Sequence, residues 1–285
     1  MSSGSAPGLA GSALAITDDH RELAAVTRSF LTDVGATAAA RALLDAEREA
    51  LPPFWPALGK LGWLGLHLPE RYGGEGYGLP ELAVVLAELG RAVAPGPFLP
   101  TVLASAVLAS AAPAELCEAL LPGLAGGTRS GAVGLTPADP EHGWLVLGGG
   151  LAQVLLAPIG DDLVVLAGDA LQVTPVEGLD PTRRLAWVRA DGAAELGRLA
   201  GGRPVAVRLA RTLAAAEAAG SAAACLDAAV HYAGQREQFG RTIGTFQAVK
   251  HHCANLLVDT ELAAAAAWDA ARAEVDAVAV TGSSS

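Results

Sequence analysis

The sequence predicts an α+β chain in which a helical N-terminal region, a small β-sheet or barrel region and a second helical region follow one another. Three observations carry this. Hydrophobic residues make up 52% of the 285 residues but aromatics only 5%, so the apolar content is mostly Ala, Leu and Val, and alanine is the strongest helix former. Between residues 128 and 203, short β-branched or leucine-rich runs alternate with Gly, Pro and Asp turns. From Val205 the apolar spacing is helical again, with no proline before Gln235.

Thr17 is placed to cap a first helix, with Asp18 and Asp19 behind it and Leu23, Val26, Phe30, Leu31 and Val34 at helical spacing up to Gly35. A second helix is predicted from Thr37 to Ala50, ended by Pro52-Pro53, and a short third one carries Leu58 and Leu61. After a turn-rich crossing from Gly62 to Gly78, Pro80 opens a helix through Leu82, Val85, Leu86 and Leu89 that should stop at Gly90. Helices follow over Pro100 to Ala112 and Ala114 to Leu121. Six strands are expected, at Ala132 to Leu135, Trp144 to Leu147, Val154 to Leu156, Leu163 to Leu166, Leu171 to Val176 and Leu185 to Val188. Two long helices close the chain, Val205 to Gln235 with a small-residue stripe at Ala216, Gly220 and Ala224, and Phe246 to Ala277 after a Gly240 to Gly244 turn. The domains are therefore set at 1–16 (a flexible tail), 17–127 (helical), 128–203 (β) and 204–285 (helical).

Composition removes several function classes. The net charge is −11 and Lys60 and Lys250 are the only lysines, which leaves no basic surface to follow a phosphate backbone, so no nucleic-acid partner is expected. No membrane span is expected either, since even Leu99 to Ala112 is broken by Pro100, Thr101, Ser105 and Ser110. Met1 to Ser12 lacks a basic region before an apolar core and reads as a tail rather than a signal peptide, which points to the cytoplasm. Cys117, Cys225 and Cys253 are odd in number and far apart, so they are expected to be buried, inert thiols rather than disulfides or zinc ligands. His231, His251 and His252 lack the i, i+4 carboxylate pairing of a helical metal site, and no metal is expected. Gly73-Gly74 opens no phosphate-binding loop.

The most specific stretch is Arg236-Glu-Gln-Phe-Gly-Arg-Thr-Ile-Gly-Thr-Phe-Gln-Ala-Val-Lys-His251, between the two long helices. It resembles the acyl-CoA dehydrogenase signature. Leu68-Pro-Glu-Arg-Tyr-Gly-Gly-Glu-Gly-Tyr-Gly78 and Ala87-Glu-Leu-Gly90 are similar to the first domain of the same family, and the resemblance spans Thr17 to Ala277. It implies an FAD flavoprotein whose first helical and β domains hold the flavin ring and whose C-terminal four-helix bundle completes the site and the oligomer. It also implies an acyl-CoA substrate and an electron-transfer flavoprotein as partner.

Within that resemblance, Arg236, Gln238 and Phe239 are the candidates for holding FAD, since a guanidinium pairs with pyrophosphate and an aromatic ring lies against adenine or ribose. Phe246 and Gln247 match positions that reach the adenosine half, usually across a dimer interface, and Ile243 would back them. Thr136 would retain one hydrogen bond to the flavin from a middle-domain segment, Leu135-Thr-Pro-Ala-Asp-Pro140, that otherwise departs from the family's Thr-Glu-Pro-Gly-x-Gly-Ser-Asp run. Arg211 matches the arginine beside the CoA and acyl entrance. Arg208 replaces the usual Asp three residues earlier.

Dehydrogenation across the α and β carbons needs a carboxylate for the α-proton. The family places it beside that helix arginine, where this chain has Ala210, or beyond the second long helix. No catalytic residue is assigned by residue matching. Glu217 shares the helix but lies six residues from Arg211, on another face, and reads as a surface or packing-edge carboxylate. Gly178-Leu-Asp-Pro-Thr-Arg-Arg-Leu185 is similar to divergent members that act beside a second dehydrogenase-like subunit, while its residues themselves favour a turn capped by Asp180 and Pro181. Two functions stay open: FAD-dependent oxidation of an acyl-CoA to trans-2-enoyl-CoA, and a non-catalytic subunit that completes a partner's FAD site. An oxidase or monooxygenase on the same fold is a third. Two C-terminal helices where a closed bundle needs four leave an apolar face for a homodimer, a tetramer or a hetero-oligomer to cover, and read as a chain short at its C-terminus.

Overall fold

The computed structural model describes residues 16–282, with side-chain surroundings through Glu274; the tail predicted at the N-terminus lies outside these residues except for Ile16. Helix α1 (Asp18–Asp33) opens as expected: Thr17 Oγ1 accepts from the His20 amide at 3.3 Å and His20 Nδ1 lies 3.1 Å from the Thr17 amide, while Asp18 and Asp19 face the positive end of the helix. Helix α2 (Ala36–Ala42) is half the predicted length. Its continuation is given up because Arg184, reaching over from the β region, takes the carbonyls of Ala46 at 2.5 Å and Glu47 at 3.1 Å, so a tertiary clamp overrides helix propensity.

Helix α3 (Trp55–Lys60) is anchored by Trp55 Nε1, which donates to the Gly127 carbonyl at 2.9 Å. Helix α4 (Leu79–Ala92) does not stop at Gly90; it ends at Val93, whose φ of 50° breaks the helical geometry. Gly90 is there for space, because a Cβ on it would lie 2.0 Å from the Glu217 carbonyl oxygen. Helix α5 (Phe98–Ala111) is apolar all round and buried over eleven consecutive residues, 98 to 108, as a core helix should be. Helix α6 (Ala114–Ala125) runs on through Pro122, past the predicted end at Leu121.

The middle region forms two sheets, of strand order β1-β3-β4-β7 and β2-β6-β5. The strands are β1 (Gly131–Val133), β2 (Trp144–Leu147), β3 (Val154–Ile159), β4 (Asp162–Ala167), β5 (Gln172–Val176), β6 (Leu185–Arg189) and β7 (Glu195–Leu199). Val146, Leu155, Ala157, Val164 and Val188 fill the space between them. β7 has no counterpart among the six predicted strands: as an edge strand beside β4 it exposes Glu195, Leu196 and Arg198 and buries only Leu199, so it lacks the alternation that marks a half-buried strand.

Helix α7 (Gly202–Gln235) then crosses the molecule, a short hairpin of β8 (Glu237–Gln238) and β9 (Arg241–Thr242) turns the chain, and α8 (Gln247–Gly282) returns along it. By length and hydropathy α7 would pass for a membrane span, against the sequence expectation, but its Leu209, Leu213, Ala216 and Gly220 are buried in the protein core. A Cβ on Gly220 would lie 1.8 Å from the Ala87 carbonyl oxygen, so α4 and α7 cross backbone to backbone through a reciprocal pair, Gly90 and Gly220.

Of the three cysteines only Cys117 is buried, with its thiol pKa pushed up by that burial. Cys225 is exposed and Cys253 half-buried, correcting the expectation for both; no described residue fully covers them.

His67 carries a stability prediction. Its Nε2 lies 3.1 Å from Ser105 Oγ, its Nδ1 is buried with no partner, and burial lowers its pKa from 6.5 to about 4. A base depressed in this way takes its proton more readily when unfolded, so its contribution is intact above pH 6.5 and is lost as pH falls toward 4. By pH 5 the loss is about 2 kcal/mol. Urea midpoints at pH 7 and pH 5 should separate for the parent protein by more than for His67→Gln, and equal separations would refute this assignment.

Candidate functional site

A cleft runs where the first helices, the β region and α7 meet. Leu99, Pro100 and Leu103 of α5, Val133 of β1, Leu135 just after it, Leu147 of β2, and Ala210 and Ala214 of α7 enclose an apolar space of about 110 Å³. Past Leu99, Leu147 and Ala214 a second space of about 510 Å³ opens, bounded by Gly178, Leu179, Leu185 and Ala218 and ending on Asp180, Arg183, Glu217 and Ser221. Helical geometry explains the alignment: Ala210, Ala214 and Glu217 are spaced i, i+4, i+7 and so face the same way.

Glu217 is 6% exposed, which corrects its reading as a surface or packing-edge carboxylate. Arg183 Nη1 donates to Glu217 Oε2, and Arg183 Nε sits 3.4 Å from Asp180 Oδ2. Burial pushes the Glu217 carboxyl above its ordinary range, opposed by the Arg183 guanidinium and reinforced by the Asp180 carboxylate. Asp180 Oδ1 also accepts from the amide and hydroxyl of Thr182, at 2.9 and 2.5 Å. The turn expected at Gly178 to Leu185 is therefore present, and it delivers an arginine into the cleft. Ala210, 7% exposed, presents only a methyl group to the cleft.

Arg211 lies outside this cleft. It is exposed and lines a neighbouring hollow of about 420 Å³ with Asp161, Arg203, Arg208 and Thr212. Arg208 Nε donates to Glu274 Oε1 on α8 at 2.7 Å, so it ties the two long helices together. Thr136 is exposed just past Leu135.

The other candidates gather at the far end of α7. Arg236 closes the helix, its amide donating to the Tyr232 carbonyl at 2.8 Å, and its own carbonyl accepts from the Ile243 amide at 2.8 Å. Phe239 stands at the hairpin tip with a φ of 55°, unusual for an aromatic residue, and is 92% exposed. Phe246 packs edge-on to it at 6.2 Å, and the Arg241 guanidinium lies 4.2 Å over the Phe246 ring. Gln238 Nε2 donates to the Glu237 carbonyl and Gln247 Nε2 is 2.9 Å from His251 Nε2. Arg241 and Arg183 were missed by sequence reasoning. Arg241 was legible as a cation five residues before Phe246; Arg183 was not, since its place depends on how the β region meets α7.

The 25 residues between Arg211 and Arg236 correspond to roughly 37 Å of helix. The structure therefore brings Arg236, Phe239, Ile243, Phe246 and Gln247 together but keeps them far from Arg211 and Thr136. The exposed Phe239 ring, with the half-buried Phe246 and the Arg241 guanidinium beside it, suits the adenosine and pyrophosphate half of a dinucleotide. Around it, Val230, Tyr232, Leu257, Val258 and Leu262 are also exposed on the outer halves of α7 and α8. Among the described residues no group of His, Cys, Asp and Glu could hold a metal.

Residues 17–128 match the family model of the acyl-CoA dehydrogenase N-terminal domain and residues 205–283 that of the acyl-CoA dehydrogenase C-terminal domain. The chain belongs to the acyl-CoA dehydrogenase family. It is 37% identical over 253 residues to acyl-CoA dehydrogenase IpdE2 of Mycolicibacterium smegmatis, covering 88% of this chain and 76% of that protein. Among solved structures it is similar to the Tcur3481-Tcur3483 steroid ACAD G363A variant, with a TM-score of 0.80 at 30% identity over 91% of this chain and 78% of that one. The ChsE4-ChsE5 complex from Mycobacterium tuberculosis gives 0.77 at 26% identity, over 91% and 79%. The helix, sheet, helix order is thus that of the acyl-CoA dehydrogenases. The protein is an acyl-CoA dehydrogenase-like flavoprotein of an oxidoreductase family whose cofactor is FAD.

Proposed function

We propose that this acyl-CoA dehydrogenase-like chain oxidises an acyl-CoA to the trans-2-enoyl-CoA as one member of an oligomer, with the α-proton base contributed by a second acyl-CoA dehydrogenase-like chain. One observation carries the proposal. Ala210 offers no base, and the carboxylate that shares its face of α7, Glu217, is already committed to Arg183. When bound, FAD supplies the hydride acceptor for the β carbon. The chain's own residues do the rest. Arg236 and Phe239, with Phe246 and Gln247 at the start of α8, would hold the adenosine half at the end of α7. Leu99, Leu103, Leu147 and Ala214 exclude water from the acyl group. Arg211, exposed beside Arg203, draws the CoA phosphates. The electrons leave to an electron-transfer flavoprotein.

A second reading, favoured by the same Ala210, is a subunit that only completes the partner's FAD site. The two separate by experiment: the chain is purified alone and together with a second acyl-CoA dehydrogenase-like chain, and acyl-CoA-dependent dye reduction is measured. Turnover should require both chains, and Glu217→Gln should lower it only if this chain's own cleft binds substrate, Arg211→Gln only if the neighbouring hollow takes the CoA phosphates. Turnover by this chain alone would refute the need for a partner base. Phe239→Ala should leave the melting temperature nearly unchanged, because the ring is 92% exposed and touches only the edge of Phe246, and weaken FAD retention about tenfold. Undiminished retention would remove Phe239 from the site.

A further inference from the structure

We infer that the Arg183–Glu217 pair is a specificity element that selects acyl groups carrying a neutral oxygen, best a hydroxyl, at the end remote from the thioester. This rests on the reading of the cleft as an acyl-CoA site and names the class of acyl group it takes. Apart from that pair, Asp180 and Ser221, the cleft is bounded by Leu, Ala, Val, Pro and Gly, so an unfunctionalised acyl chain would have been served by one more leucine. An ion pair is retained instead, at the desolvation cost that burial of two charges carries.

The pair is only half used by the protein. Arg183 Nη1 is on Glu217 Oε2, while Arg183 Nε faces Asp180 Oδ2 at 3.4 Å without a hydrogen bond and Nη2 donates to no described residue. Glu217 Oε1 accepts from none. Ser221 is satisfied elsewhere, donating to the Gly90 carbonyl at 3.0 Å. A hydroxyl between the two side chains would accept from Arg183 and donate to Glu217, satisfying both, whereas a methyl terminus would satisfy neither. A carboxylate would meet Glu217 and Asp180 on either side of the one guanidinium, and like charges at such distances repel. Length agrees: Ala210 and Glu217 are two turns apart, roughly 10 Å along α7, which is the reach of a medium-length acyl body. Leu179, fully exposed at the rim, lies where such a body would cover it.

Binding of octanoyl-CoA, ω-hydroxyoctanoyl-CoA and the ω-carboxyl analogue to the full chain, in excess FAD, tests this by calorimetry. The hydroxyl analogue should bind about tenfold more tightly than octanoyl-CoA, and the carboxyl analogue no more tightly than octanoyl-CoA. In the volume-conserving double variant Arg183→Met with Glu217→Leu, which leaves no buried charge unpaired, the preference should fall to within about twofold. Equal affinity for the octanoyl and hydroxyl esters, tightest binding of the carboxyl ester, or a preference that survives in the double variant would overturn the inference while leaving the acyl-CoA site intact. If none of the three esters binds, the acyl-CoA reading of the cleft fails and this inference falls with it.

Discussion

Gly220→Val is expected to destabilise the protein by about 3 kcal/mol and to disrupt the cleft with it. The reason is the contact with α4. Even a single Cβ at 220 would stand 1.8 Å from the Ala87 carbonyl oxygen, and one at 90 would stand 2.0 Å from that of Glu217. Both obstacles are helix backbone, so neither can turn aside; α4 and α7 would have to separate. Since α7 carries Ala210, Ala214 and Glu217 along the cleft, a displaced helix opens it to water. Thermal unfolding measures the first effect and acyl-CoA binding the second. Gly234 is the control: it lies in the same helix with nothing within 4 Å of an added Cβ, so Gly234→Ala should stabilise by about 0.5 to 1 kcal/mol. A Gly220→Val protein as stable as the parent would mean that the two helices do not cross this closely.

A comparable loss, about 3 kcal/mol, should follow Glu217→Ala, because it leaves the Arg183 guanidinium, 18% exposed, with only the half-exposed Asp180 carboxylate at 3.4 Å as counter-charge. Removing both charges with Arg183→Met and Glu217→Leu should restore stability to near that of the parent, since well-packed apolar replacements avoid the desolvation of the pair. Acidification gives an independent check. The folded carboxyl of Glu217 is raised above its ordinary 4.5, so the fold favours its neutral form. Its contribution is most favourable below pH 4.5 and declines as pH rises through the folded value. Glu217→Gln should flatten that part of the stability profile; an unchanged profile would show that Glu217 titrates as it does in the unfolded chain.

Much of the architecture was legible in the sequence because its signals are local. Thr17 caps α1 through residues three positions away, and the Arg236 to Gln247 segment forms a hairpin from its own glycines and hydrogen bonds. What was hidden depends on groups far apart in the chain. Gly90 resembles a helix stop until Glu217, 127 residues later, is known to press on it. The second helix was over-extended because Arg184 removes its carbonyls from 137 to 138 positions away. The burial of Glu217 had one available signal: its seven-residue spacing from Ala210, with Ala214 between, marks a shared helix face. Its six-residue spacing from Arg211 pointed to another face, and nothing local announced that Arg183 would meet it there.

The most direct measurement is the bleaching of flavin absorbance when acyl-CoA is added without oxygen, for this chain alone and for this chain assembled with a second acyl-CoA dehydrogenase-like chain. With Ala210 in place of a base and Glu217 held by Arg183, the flavin should bleach only in the mixed assembly, and Phe239→Ala in this chain should reduce the flavin that assembly retains. Bleaching by this chain alone at the rate of the mixed assembly would contradict the assignment of the base to a partner.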